Sequence, residues 1–186
     1  MRSLVLLAAF VSSAAFAENF NIDPAHTEVV FKVGHMGFSN VIGQFTKVDG
    51  KFTLDEKNPG KSSVELTIDA DSVSTNNAKR DEHLRSPDFF NVKQFPKITF
   101  KSKSVKKTDG NHYEVAGDLT MHGVTKPVSF SFNHMGTGAD PMGKVRAGGE
   151  LMFKVKRSDF GMNFMAGPKA ISDEIEVMVD VEGVKS

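Results

Sequence analysis

Apolar and polar residues alternate with a period of two along most of this chain. Val64, Leu66, Ile68 and Ala70 are interleaved with Glu65, Thr67, Asp69 and Asp71, so a strand through them is apolar on one face and polar on the other. The period recurs at Val29, Phe31, Val33; at Ile98, Phe100; at Val115, Gly117, Leu119, Met121; at Val128, Phe130, Phe132; at Leu151, Phe153, Val155; and at Ile175, Val177, Val179, Val181. Turn-forming residues separate the runs: Asn58-Pro59-Gly60, Asp109-Gly110-Asn111, His122-Gly123 and the 136–143 stretch around Asp140-Pro141. Spacers this short join antiparallel neighbours.

Two segments depart from the pattern. Phe45 and Phe52 are seven residues apart, an odd spacing that sends them to opposite faces of a straight strand. A turn at Asp49-Gly50 or a bulge there would bring both inward, and the bulge is the expectation. From Asn76 to Phe90 the alternation stops. Residues 77–85 lack β-branched side chains, Ser74, Thr75 or Asn76 is available as N-cap, and Pro87 stops the segment, which predicts one short helix. Beyond Ala78 and Leu84 the helix has little apolar surface, so docking must stabilise it and Leu84, Phe89 and Phe90 should face the interior.

About eight strands with alternate residues inward predict an all-β fold, an eight-stranded antiparallel barrel with the helix capping or crossing it. Parity aims Phe31, Val33, Leu66, Ile68, Phe100, Leu119, Met121, Phe130, Phe132, Leu151 and Phe153 at its interior, joined by Phe38, Phe45 and Phe52. Strands of this length, tilted by about 40°, enclose a lumen roughly 20 Å long, the length of an extended lipid chain. Burying ten methylene-sized groups would contribute roughly 8 kcal/mol gross. The same residues also suit a filled core, and parity does not separate a lined tunnel from a packed one.

The N-terminus adds a destination. Arg2, the apolar run at 4–11 and the Ala15-Phe16-Ala17 site read as a signal peptide over residues 1–17, cleaved after Ala17, leaving one domain at 18–186. The run is too short to span a bilayer. The 186 residues carry 23 basic and 23 acidic side chains, which gives no electrostatic reason to bind nucleic acid or an anionic membrane surface. Without cysteine there is no disulfide, thiolate metal site or catalytic thiol.

No enzyme signature emerges. The six histidines form no close ligand pair, so no metal is expected, and Gly148-Gly149 lies between strand residues as a bend rather than in a phosphate loop. Asp81 and Glu82 occupy adjacent helix positions and are expected to face solvent. Arg80 and Arg85 could contact a diphosphate or carboxylate headgroup at the end of the lumen, or pair with Asp81, Glu82 or Asp88. His83 is read as a helix residue bonded to a loop, or as a polar contact at the mouth.

Three stretches resemble the YceI-like proteins: His35-Met36-Gly37-Phe38-Ser39-Asn40-Val41-Ile42-Gly43-Gln44-Phe45, the Arg80-Asp81-Glu82-His83-Leu84-Arg85-Ser86-Pro87-Asp88-Phe89-Phe90 segment, and Gly117-Asp118-Leu119-Thr120 through Gly123-Val124-Thr125-Lys126-Pro127-Val128. The resemblance implies an extended, lipocalin-like barrel in the bacterial periplasm that holds a polyisoprenoid, of quinone or isoprenoid-diphosphate type, or another long fatty chain. It implies no cofactor beyond that ligand, a membrane cytochrome or quinone-pathway partner, and a monomer or homodimer. It favours the hollow barrel. A filled barrel would instead suit a non-enzymatic stress or structural partner of a membrane redox protein, with an apolar patch at Phe160, Met162, Phe164 and Met165. An enzyme acting on lipids would need a polar cluster inside the barrel.

Overall fold

The computed structural model describes residues 17–167 and 169–186, so the leader, except for Ala17, lies outside the described residues. In chain order the strands are β1 (Glu18–Ile22), β2 (Glu28–His35), β3 (Ser39–Phe45), β4 (Val48–Leu54), β5 (Ser63–Asp69), β6 (Val73–Ser74), β7 (Lys97–Lys107), β8 (His112–Met121), β9 (Val124–Ala139), β10 (Val145–Lys156) and β11 (Ile171–Lys185). A single α-helix, α1 (Ala78–Arg85), lies between β6 and β7. The sheet runs β1-β4-β5-β7-β8-β9-β10-β11, and β11 returns to β1, closing an eight-stranded antiparallel barrel.

The remaining strands lengthen one end of it. β11 pairs through its last residues with β1 and through 171–180 with β2, which pairs with β3, which pairs briefly with β6. Three positions around the ring are thus held by strands in two pieces: β1 with β2, β4 with β3, and β5 with β6. At the extended end β6 is a free edge that does not pair with β7. Helix α1 and the 86–96 loop fill the gap. This end is the mouth; the opposite end carries the β9–β10 turn.

The extra residue needed to bring Phe45 and Phe52 to one face is at Thr46–Lys47 rather than at Asp49-Gly50. The Thr46 amide donates to the Ser72 carbonyl at 3.2 Å and the Lys47 amide to Ser72 Oγ at 3.1 Å, which holds the break. From Val48 opposite Ile68 to Thr53 opposite Ser63 the register is unbroken, so Gly50 is no bulge. Glycine stands there because φ is +155° and a Cβ would overlap the Glu65 carbonyl.

His122 and Gly123, both at positive φ, make the two-residue β8–β9 turn. The 136–143 stretch is not all turn: β9 continues to Ala139, and Asp140 Oδ1 then accepts the Met142 and Lys144 amides. Gly148 and Gly149 mark a bend as expected, because the β9–β10 register slips there and leaves Met135 unpaired.

Helix α1 starts at Asn77, whose side chain accepts the Arg80 amide at 3.0 Å, and not at Ser74, Thr75 or Asn76. Thr75 has another task. Its amide and hydroxyl donate to Asp81 Oδ1 at 2.8 and 2.6 Å, and this draws Asp81, expected in solvent, into the interior.

Candidate functional site

The barrel encloses a cavity of about 1140 Å³, above the roughly 300–1,000 Å³ of ordinary small-molecule sites. Phe31 and Val33 of β2, Phe45 of β3, Phe52 of β4, Leu66 and Ile68 of β5, and Phe100 of β7 line it. So do Leu119 and Met121 of β8, Phe130 and Phe132 of β9, Leu151 and Phe153 of β10, and Leu84, Phe89 and Phe90 from the helical segment. β11 adds Ile175, Val177, Val179 and Val181. The rings contact in series, Phe100 with Phe130 and Phe130 with Phe153 at centroid distances of 5.3 Å, Phe31 with Phe45 at 5.7 Å and Phe45 with Phe90 at 5.4 Å. Phe130, Phe132, Leu151 and Phe153 face inward yet are only half-buried, because the lumen exposes their inner faces. A close-packed core would bury them. The barrel is hollow.

Two residues expected at the site lie off its wall. Phe38 is 89 % exposed at the tip of the 36–38 turn, where Met36 and Gly37 take left-handed φ and strand parity no longer applies. Arg85 turns outward, donating through Nε to the Asp71 carbonyl at 2.8 Å and through Nη2 to the Val73 carbonyl at 2.9 Å, with the Asp71 carboxylate at 3.1 Å. It ties α1 to the 71–73 segment. Its carboxylate is none of the three weighed from sequence. Arg80 and His83 do line the cavity. Arg80 donates through Nε to Thr75 Oγ1 at 2.7 Å, and His83 Nε2 lies 2.8 Å from Asp88 Oδ2 in the following loop, with its ring edge-on to Phe89 and Phe164. Phe160 and Met162 are buried rather than part of an exposed patch, and Phe164 is half-buried.

Polar groups mark the two ends of the lumen. Arg157, one step beyond Leu151, Phe153 and Val155, reaches the cavity at the mouth end, 4 % exposed. Its guanidinium donates to three carbonyls, those of Ser172 (3.0 Å), Met162 (2.9 Å) and Ile171 (3.2 Å), and lies 5.9 Å from the Phe89 ring centre. Burial lowers its pKa, and the Asp173 carboxylate opposes that shift. At the far end His134, one step beyond Phe132, is buried beside Tyr113, with Nε2 3.2 Å from Thr137 Oγ1. Parity extended by one step on β9 and β10 would have found both residues. Of the lining residues exposed to solvent, His35, Ser39, Asn40, Ile42, Asn77, Lys79, Arg80 and His83 lie at the mouth, and Ser63 lies towards the far end. Lys79 and Arg80 have no carboxylate partner among the described residues.

Asp23, His26 and Glu182 come close enough to share an ion, but on the outside of the barrel near its far end, and they already have a cation. Arg146 Nη1 donates to Asp23 Oδ2 at 2.7 Å and to Glu182 Oε1, while Nε donates to Asp140 Oδ2 at 2.8 Å. Arg146 holds both aspartates below the usual carboxylate range, with His26 helping at Asp23 and the Lys144 amide at Asp140.

Residues 20–183 match the model of the YceI-like domain. A Salmonella arizonae protein named YceI is 46 % identical over 178 residues, covering 95 % of this chain and 92 % of its own. The crystal structure of the Campylobacter jejuni YceI protein superposes with a TM-score of 0.74 at 28 % identity, covering 100 % of this chain and 99 % of the other. A Saccharophagus degradans domain described as polyisoprenoid-binding shares the fold, with a TM-score of 0.67 at 16 % identity over 90 % of this chain and 98 % of its own.

Proposed function

Because the chain belongs to the YceI-like family, we propose that it is a periplasmic carrier holding one polyisoprenoid, or a similar long apolar chain, in the barrel tunnel for transport, storage or sequestration. The observation that carries this is the hollow lumen, in which the inward Phe130, Phe132, Leu151 and Phe153 keep faces free for a guest. An apolar guest gains from each methylene it removes from water, roughly 0.8 kcal/mol. The wall demands no hydrogen bonds in return. An anionic or polar headgroup belongs at the mouth, where Arg80 and Lys79 reach the cavity without a carboxylate partner among the described residues. The separation of Arg157 and His134 at opposite ends of the lumen supports binding rather than catalysis, since acid–base work needs its groups together. Export rests on the leader at residues 1–17.

Gentle purification from the periplasm followed by native and then denaturing mass spectrometry tests the proposal. The expected result is a stoichiometric mass excess released as an isoprenoid or fatty chain. Leu151→Trp, which places bulk in the lumen, should lower that occupancy while the protein stays folded. A clean apo mass that does not change on incubation with isoprenoid quinones would overturn it.

A further inference from the structure

Four large apolar side chains stand exposed around the mouth: Phe38 at 89 %, Ile42 at 61 %, Met165 at 54 % and Met36 at 45 %. They belong to two adjoining segments. Met36 and Phe38 form the β2–β3 turn between His35 and Ser39, both of which line the mouth, and Ile42 is itself on the cavity wall. The Met36 amide donates to the Ala170 carbonyl at 2.6 Å, and the Met165 carbonyl accepts the amide of Ile171, another lining residue. Lys79 and Arg80 stand exposed on the same opening. Apolar groups displayed together at a cavity mouth signal a surface that is covered in use.

We propose that this rim docks reversibly on an anionic lipid bilayer, so that an apolar chain passes between membrane and tunnel without crossing water. The inference rests on the carrier reading above. A chain that fills such a tunnel is insoluble, and its source and destination are bilayers. The turn suits the interface because the Met36 and Phe38 amides are already bonded, to Ala170 and His35, and cost little to desolvate. Lys79 and Arg80 supply local attraction to anionic headgroups. The near-balanced charge of the whole chain supplies no long-range pull, which keeps docking weak and reversible. A second copy fits the rim poorly. It would set the Lys79 and Arg80 pairs of two molecules against each other, and a hairpin tip is small beside the ~800 Å² per partner of a stable dimer.

The test is co-sedimentation of the mature protein with vesicles of phosphatidylethanolamine, with and without phosphatidylglycerol. Wild-type protein should bind the anionic vesicles, and Phe38→Ser should weaken that binding by about tenfold. Met142→Ser, in the exposed turn at the far end, should bind as wild type does. The native mass of Phe38→Ser should still show the cargo, since Phe38 is off the cavity wall; this separates a failure of docking from a failure of the tunnel reading. Wild-type protein that ignores both kinds of vesicle overturns the proposal and leaves the rim to a protein partner. So does Phe38→Ser binding as tightly as wild type.

Discussion

At the far end of the barrel Arg146 gathers three carboxylates, from the β1–β2 junction, the β9–β10 turn and β11, whereas at the mouth Lys79 and Arg80 face solvent with no carboxylate among the described residues. The aromatic side chains differ too, although Met135 and Met142 stand exposed at the far end. Phe20 near the far end is fully buried and stacks on Phe52 at 4.9 Å, while Phe38 at the mouth stands free. The far end therefore spends its charges on holding the ring of strands together. The mouth leaves Lys79 and Arg80 without a carboxylate among the described residues and its rim side chains uncovered, available to whatever arrives. The two ends thus differ in what they leave exposed at the surface, and the wall between them serves both stability and binding.

The largest effect is expected on that wall. Phe130→Asp puts a carboxylate among Phe100 and Phe153 with no partner, and should destabilise the protein by at least about 3 kcal/mol in urea unfolding and abolish retention of an apolar guest. Ser131→Asp, exposed on the same strand, should stay within about 0.5 kcal/mol and retain the guest. Equal tolerance at both sites would mean that the two faces of β9 do not differ as described.

Arg157→Met comes next. It removes the donors to three carbonyls at the mouth end and should lower stability by about 2–3 kcal/mol, with Arg157→Lys recovering only part because an ammonium cannot span three divergent acceptors. An unchanged urea midpoint for Arg157→Met would show that its three bonds contribute nothing to stability.

The wall was legible in the sequence and the mouth was not, for a physical reason. Over residues 64–70, 113–121, 128–132 and 151–155 apolar residues recur at every second position, so Leu66, Leu119, Phe130 and Phe153 could be placed from parity alone. Parity fails wherever the chain turns. Phe38 is counted with the wall residues from the sequence, yet turn geometry sends it to solvent. The break at Thr46–Lys47 is set by Ser72, a residue 25 positions away from Lys47, and no local signal reports it. Asp81 is buried by its bonds to Thr75, and Arg85 is turned outward by two carbonyls, so tertiary partners decide both. The hollow itself was out of reach of pattern reading, since the same phenylalanines suit a filled barrel.

The smallest expected effect isolates the far end. Arg146 holds Asp23 and Asp140 below their ordinary value of 3.8 in the folded protein, so folding favours their ionised forms. A carboxylate whose pKa is depressed by folding stabilises the fold above its unfolded value, and that contribution is lost as the pH falls through 3.8 towards the depressed one. Urea midpoints should therefore be flat from about pH 7 to about pH 5 and fall below about pH 4. Arg146→Met lacks the cation, so its curve should start lower at neutral pH and fall less, converging on the wild type in acid. The clasp is partly exposed, and added salt should narrow the gap between the two curves. Parallel curves down to about pH 3 would show that the acid dependence arises elsewhere, and would leave the far end held by its strands alone.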